Sequence, residues 1–178
     1  MKKALENFFD NYTYDYELIS DTGAFPLPGD LSLEIPFYKQ LKTYTCGFVA
    51  GSMIVHAFDK RKSFSTIWEM LTPTSKDGLP TENLMKGLRK LKVGVQKRHH
   101  LSFKQVSNAL DKGNPIMVSV LAKGCEHWVV IYGYNEERKE ILIAGNGLVP
   151  VFNRHRYSWD EFKEIEGTDE EFLICWGK

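Results

Sequence analysis

The chain has 178 residues, 43% of them hydrophobic, with three cysteines and equal numbers of acidic and basic side chains. That length supports one well-buried domain and is short for two, so residues 1–178 are read as a single domain. A formal net charge of +0 excludes a general attraction to nucleic acid or to an anionic membrane surface. Odd cysteines without CxxC spacing exclude a disulfide framework and the usual zinc ribbons, and they suit a reducing compartment. No apolar run is long enough to span a bilayer. The N-terminus MKKALENFFDNYTYDYEL turns acidic and polar without the apolar core of a leader, so the expected location is cytoplasmic, a mature secreted form being left open.

In chain order, Lys2 to Phe9 reads as a short helix and Ser20 to Pro28 as a Gly/Pro loop. Leu31 to Pro36 is a brief extended segment leading into a polar loop that contains Gln40. From Cys46 the chain becomes apolar on nearly every side as far as Phe58, interrupted by Ser52 and His56, which predicts a buried helix with Thr43 or Thr45 as its cap. Ser63 or Ser65 caps a second helix over Thr66 to Leu71, and Pro73 to Pro80 is a turn-rich connection. Leu84, Leu88 and Leu91, after Thr81, have the spacing of an amphipathic helix. Val93 to Val95 begins a strand whose basic end, Lys97 to His100, is solvated.

Leu101-Ser102-Phe103 opens another capped helix that ends at Lys112-Gly113-Asn114-Pro115. Beyond Pro115 the period changes to that of strands: Ile116 to Leu121, His127 to Tyr134, Glu140 to Ala144, Val149 to Phe152 and Glu171 to Trp176. Asn135 to Lys139 forms a hairpin turn between the second and third of these. Helices first and strands second predict an α+β domain, a helical lobe packed on an antiparallel sheet.

Cys46 stands where a loop becomes a helix, and the partial positive charge of a helix N-terminus favours the nucleophilic thiolate. The plainer reading is a buried core cysteine. A thiolate nucleophile needs a proton acceptor, and histidine titrates near neutrality. His127, at the start of an apolar strand after the flexible Lys123-Gly124, is the candidate; the alternative is a structural histidine at a strand end. His99, His100 and His155 read as solvated, and His56 lies too far along the helix from Cys46 to serve it. Cys175 reads as core. Cys125, two residues before His127, raises metal binding with Cys46 and His127 or a disulfide with Cys46, neither supported by ligand spacing. Trp128 is core packing by default, or a shield for the His127 ring.

Gln40-x5-Cys46-Gly47 before an apolar helix, with Gly124-x2-His127-Trp128-Val129-Val130-x2-Gly133-Tyr134-Asn135 before a hairpin, resembles the papain-like cysteine peptidase superfamily. Within it the pattern is most similar to the bacteriocin-leader-processing, double-glycine-leader peptidases and their stand-alone relatives. Phytochelatin synthase shares some of the same elements. The resemblance covers roughly Ile35 to Phe152. It implies a papain-like fold, Cys46 as nucleophile, His127 as general base and then acid, and Gln40 as a side-chain donor to the oxyanion. The pattern departs at the third member, because the family carries an aspartate after the strand that follows the histidine, and here Gly145 or Asn146 occupies that place. An asparagine amide oxygen accepts from an imidazole N–H, so Asn146 is the candidate orienter, although an asparagine between glycines is also what a turn carries.

The function implied is a thiol hydrolase acting on a peptide or related amide bond. Acyl transfer on the same fold and an inactive peptide-binding module are the alternatives. No cofactor or metal is expected, and peptide or protein is the expected partner. The leader peptidases are normally fused to transporter domains that this sequence does not contain, so a double-glycine substrate does not follow.

Overall fold

The computed structural model describes residues 27–38, 40, 42, 44–122, 125–145, 154–166 and 171–178. The expected helix Lys2 to Phe9 and strand Val149 to Phe152 lie outside them. The strands are β1 (Asp30–Ser32), β2 (Val93–His99), β3 (Ile116–Ala122), β4 (Cys125–Asn135), β5 (Glu140–Ala144), β6 (Arg154–Ser158) and β7 (Glu171–Gly177). The helices are α1 (Cys46–Phe58), α2 (Phe64–Leu71), α3 (Thr81–Lys90), α4 (Phe103–Asp111) and α5 (Trp159–Ile165). Among the described residues all pairings are antiparallel, in one seven-stranded sheet of order β2-β7-β3-β4-β5-β6 with β1 beside β4. β3 pairs with β4 as far as Ile131, and β1 takes the same strand at Gly133 to Asn135. The expected α+β architecture is therefore present, with the helices divided between the two sheet faces.

Period-two alternation explains that division. On β4, Trp128, Val130 and Tyr132 enter a core with α1, α2 and α3, whereas Val129 and Ile131 enter a second core with α4 and α5. Met117 on β3 and Leu142 on β5 face the first core; Val118, Ile141 and Ile143 face the second. α1 is held by tertiary packing, since every residue from Gly47 to His56 is buried. Two other helices, one on each face, begin on local signals. Ser63 accepts from the Thr66 N–H at the start of α2, and Ser102 and Gln105 form a reciprocal capping box on α4. Among the described residues no helix is long and apolar enough to cross a membrane.

Two sequence expectations are corrected, and two elements were not anticipated. The extended segment before Gln40 is a shorter strand, Asp30–Ser32, in register with Gly133 to Asn135 of β4, and Leu33 adds one further bond, its N–H donating to the Tyr132 carbonyl at 2.7 Å. Thr45 occupies the cap position of α1, but its hydroxyl donates to the Lys42 carbonyl at 2.8 Å and does not cap the helix, while Thr43 lies outside the described residues. β6 and α5 carry no apolar run to announce them. β6, RHRYS, is a strand because β5 pairs with it and because Arg156 finds acidic partners across the sheet, donating to Asp30 at 2.6 Å and to Glu140 at 2.8 Å.

Candidate active site

Cys46 is the first residue of α1 and is partly buried against β4. Burial pushes its thiol up, while main-chain N–H groups of Trp128, Gly47 and Cys46 itself donate to the sulfur and pull the other way. The Trp128 contact locates the thiol. It sets the sulfur beside β4, next to the residue that follows His127, and Cys46 packs against the core that holds Trp128. Among the described residues, β5 pairs with β4 from Val130 to Asn135.

Gly47 makes this approach possible. A Cβ at that position would stand 2.9 Å from Leu79 Cβ and 3.2 Å from Trp128 Cδ1, so a larger residue would push the first turn of α1 away from β4. The Cys-Gly pair therefore has a steric reason: one residue carries the thiol, and the next lets its helix close on the strand. Trp128 is buried in the core with α1, which is its default reading.

His127 is the third residue of β4 and not its first, and it is 4% exposed. The alternation of β4 puts it on the face of Val129 and Ile131. Gln40 lies on the loop before α1. Its Nε2 donates to the Lys42 carbonyl at 2.5 Å, the carbonyl that also takes the Thr45 N–H and hydroxyl, and its Oε1 is buried without a partner among the described residues. An amide nitrogen has two hydrogens, so one remains after the Lys42 bond. Asn146 lies outside the described residues. Cys46 and the strand position next to His127 are thus brought together, and Gln40 is tied into the loop that precedes the thiol.

Beside Cys46 opens a cavity of about 360 Å³, with Tyr44, Leu79, Ser119, Glu126 and Trp128 among its walls. It gives an extended chain a place next to the sulfur. His56 is excluded from the site as expected. Its Nε2 donates to the Lys62 carbonyl at 2.6 Å, which leaves Nδ1 to accept from the Tyr38 hydroxyl at 2.6 Å, and burial lowers its pKa. Cys175 is a core thiol, pushed up to about 12 by burial.

Two findings were not legible in the sequence. Gly133-Tyr134-Asn135, part of the recognisable pattern, is structural. A Cβ on Gly133 would meet the Leu31 carbonyl oxygen at 2.5 Å, Tyr134 donates to Asp111 at 2.6 Å, and Asn135 holds Asp30 at 2.8 Å. His155, expected to be solvated, is half-buried on β6 and its ring lies against Gly145.

The Peptidase_C39 like family matches residues 32–165. No curated protein matches the sequence. Among solved structures, the chain is similar to a double-glycine-motif protease from an AMS/PCAT transporter in complex with the leader peptide, at 16% identity over 83% of this chain and 94% of that one, TM-score 0.63. It is also similar to the peptidase domain of Streptococcus ComA, a bi-functional ABC transporter (14% identity, 79% and 96% covered, TM-score 0.60). A third similar structure is xylellain, a cysteine protease from Xylella fastidiosa (13% identity, 86% and 87% covered, TM-score 0.60). At these identities the structures speak for the fold, and the family match, which spans most of the chain, speaks for the chemistry: the protein belongs to the Peptidase_C39 like family and is a papain-like cysteine peptidase.

Proposed function

We propose that this peptidase cleaves a peptide, or a related amide, through an acyl-enzyme on Cys46, with His127 as the base. The observation that supports the reading is the Trp128 N–H contact to the Cys46 thiol, which sets the sulfur beside the residue that follows His127, with a cavity opening next to Cys46. The His127 imidazole takes the thiol proton, and the sulfur attacks the carbonyl carbon to form a C–S bond. The oxyanion is met by the Cys46 N–H at the start of α1 and by the remaining N–H of the Gln40 amide. Collapse breaks the C–N bond, His127 returns the proton to the departing amine, and water, deprotonated by His127, then hydrolyses the thioester.

Asn146 is the proposed acceptor for the second nitrogen of His127, supported by its place just after β5. The relative solved with the leader peptide supports a peptide as the class of substrate. The 178 residues are proposed to work as one domain, since both cores share one sheet. A free Cys46 thiol is required throughout, which suits a reducing, cytoplasmic setting.

Reaction with a thiol-directed electrophile, read by intact mass and peptide mapping, tests this. Fast labelling confined to Cys46 is expected. It should be lost in Cys46→Ala and slowed in His127→Ala and Asn146→Ala, while Asn146→Asp keeps most of it. Turnover should vanish in the Cys46 and His127 variants with little change in Tm. Near-native turnover by Cys46→Ala would remove it as the nucleophile.

A further inference from the structure

The edge of β4 that carries His127 has a neighbour from a part of the chain with no role in the reaction described above. β5 ends at Ala144, which pairs with Val130, and Gly145 continues one residue beyond that pair. Ile143, two residues before Gly145, faces the core shared with α4 and α5, so a side chain at position 145 would project from the same face. That space is already filled. A Cβ built on Gly145 would lie 2.9 Å from Cδ2 and 3.0 Å from Nε2 of His155.

His155 comes from β6, where it pairs with Ile143 and shares its face. Its ring leans from β6 across β5 onto Gly145, with the far edge of the imidazole leading, which is the direction of β4. Next along β4 on that same face are Val129, level with Gly145, and then His127. Gly145 and His127 are thus diagonal neighbours, about 7–8 Å apart at Cα, and a ring lying over Gly145 comes within reach of the His127 side chain. The glycine is what lets the ring lie there, since any larger residue would meet it closer than a normal contact.

We propose that His155 is a positioning residue of this peptidase, confining the His127 imidazole from the β6 side by lying over the backbone of Gly145. The inference rests on the reading of Cys46 and His127 given above. His155 touches neither the substrate nor the sulfur in this account. It acts by limiting the orientations open to the base and by holding the strand end that leads into Asn146. Misplacing a reacting group by about 1 Å can lower a rate by as much as about 10²-fold.

The test is a cycle between His155 and Gly145, read by the rate of Cys46 alkylation at neutral pH and by kcat and KM on a peptide that the parent cleaves. His155→Ala is expected to slow alkylation and lower kcat up to about 10²-fold with KM little changed. Gly145→Ala, which pushes the ring aside, should slow both in the parent and add nothing further in the His155→Ala background, because the space is then free. Circular dichroism and Tm identify variants that fail to fold, and His155→Gln, a smaller change, is the second variant for that case, with partial retention of kcat expected. Parent-like alkylation and kcat in folded His155→Ala, or fully additive effects of the two substitutions, would overturn the proposal while leaving Cys46 and His127 in place. A parent enzyme not labelled at Cys46 would instead overturn the reading beneath it.

Discussion

At the scale of single residues, the position of Cys46 has two opposed consequences. The helix start supplies N–H groups that favour thiolate, but packing α1 into the core removes water from the sulfur, and burial is the larger influence on its pKa. A helix terminus therefore does not by itself make Cys46 a thiolate at neutral pH, and a proton acceptor is needed. Gln40 also carries two demands: it fastens the Lys42 carbonyl, and its other N–H is proposed for the oxyanion. Gln40→Ala is expected to lower kcat by about 10²–10³-fold, the magnitude for one lost oxyanion donor, with a smaller effect on KM. Steady-state kinetics separate the two, and a change confined to KM would make Gln40 a substrate contact.

At the scale of elements, the site depends on how closely α1 approaches β4, and Gly47 sets that distance. Gly47→Ala gains at most about 1 kcal/mol of helix propensity. The added methyl, however, meets the Cβ of Leu79, an atom that cannot swing away, and overpacking of that kind costs about 1–3 kcal/mol. Net destabilisation by urea unfolding is expected, together with slower Cys46 alkylation as the thiol leaves the Trp128 N–H. A variant as stable as the parent with unchanged alkylation would mean that the first turn of α1 is free to shift.

At the scale of the whole molecule, one buried carboxylate joins segments from both ends of the chain. Asp30 on β1 accepts from Asn135 on β4, from Arg138 in the β4–β5 turn and from Arg156 on β6, and its side chain is fully buried. Burial by itself would raise its pKa; the hydrogen bonds from Arg156, Asn135 and the Leu27 N–H outweigh it and hold the carboxyl at about 2, below the ordinary 3.8. Its contribution to stability is therefore complete above the ordinary value and is lost as pH falls from there through about 2. Asp30→Ala removes an acceptor from Arg138 and Arg156, and because both keep Glu140 the cost should fall below the about 3–5 kcal/mol of a buried pair broken outright. Denaturant titrations from neutral pH downward should show that loss, and Asp30→Asn should flatten the fall in stability in the acid range. An unchanged acid profile would mean that other carboxylates set it.

What the sequence determined by itself is what short-range physics decides. The caps at Ser63 and Ser102, the turn at Asn135 to Lys139, the buried helix after Cys46 and the alternation of β3, β4 and β5 all depend on residues a few positions apart, and they appear where the sequence places them. The two halves of the motif, Cys46-Gly47 and His127-Trp128, were visible for the same reason. Tertiary structure alone decided the rest. β6 is polar, and it is a strand because Arg156 reaches Asp30 across the sheet; Gly133-Tyr134-Asn135 looks functional and is structural because β1 and α4 close on it. Thr45 turns its hydroxyl away from the helix to a carbonyl that Gln40 also needs. His155 lies over Gly145 only because β5 and β6 pair in one register. Each of these contacts joins groups distant in the chain, and local propensity carries no information about which distant surface a side chain will meet once burial has folded the chain back on itself.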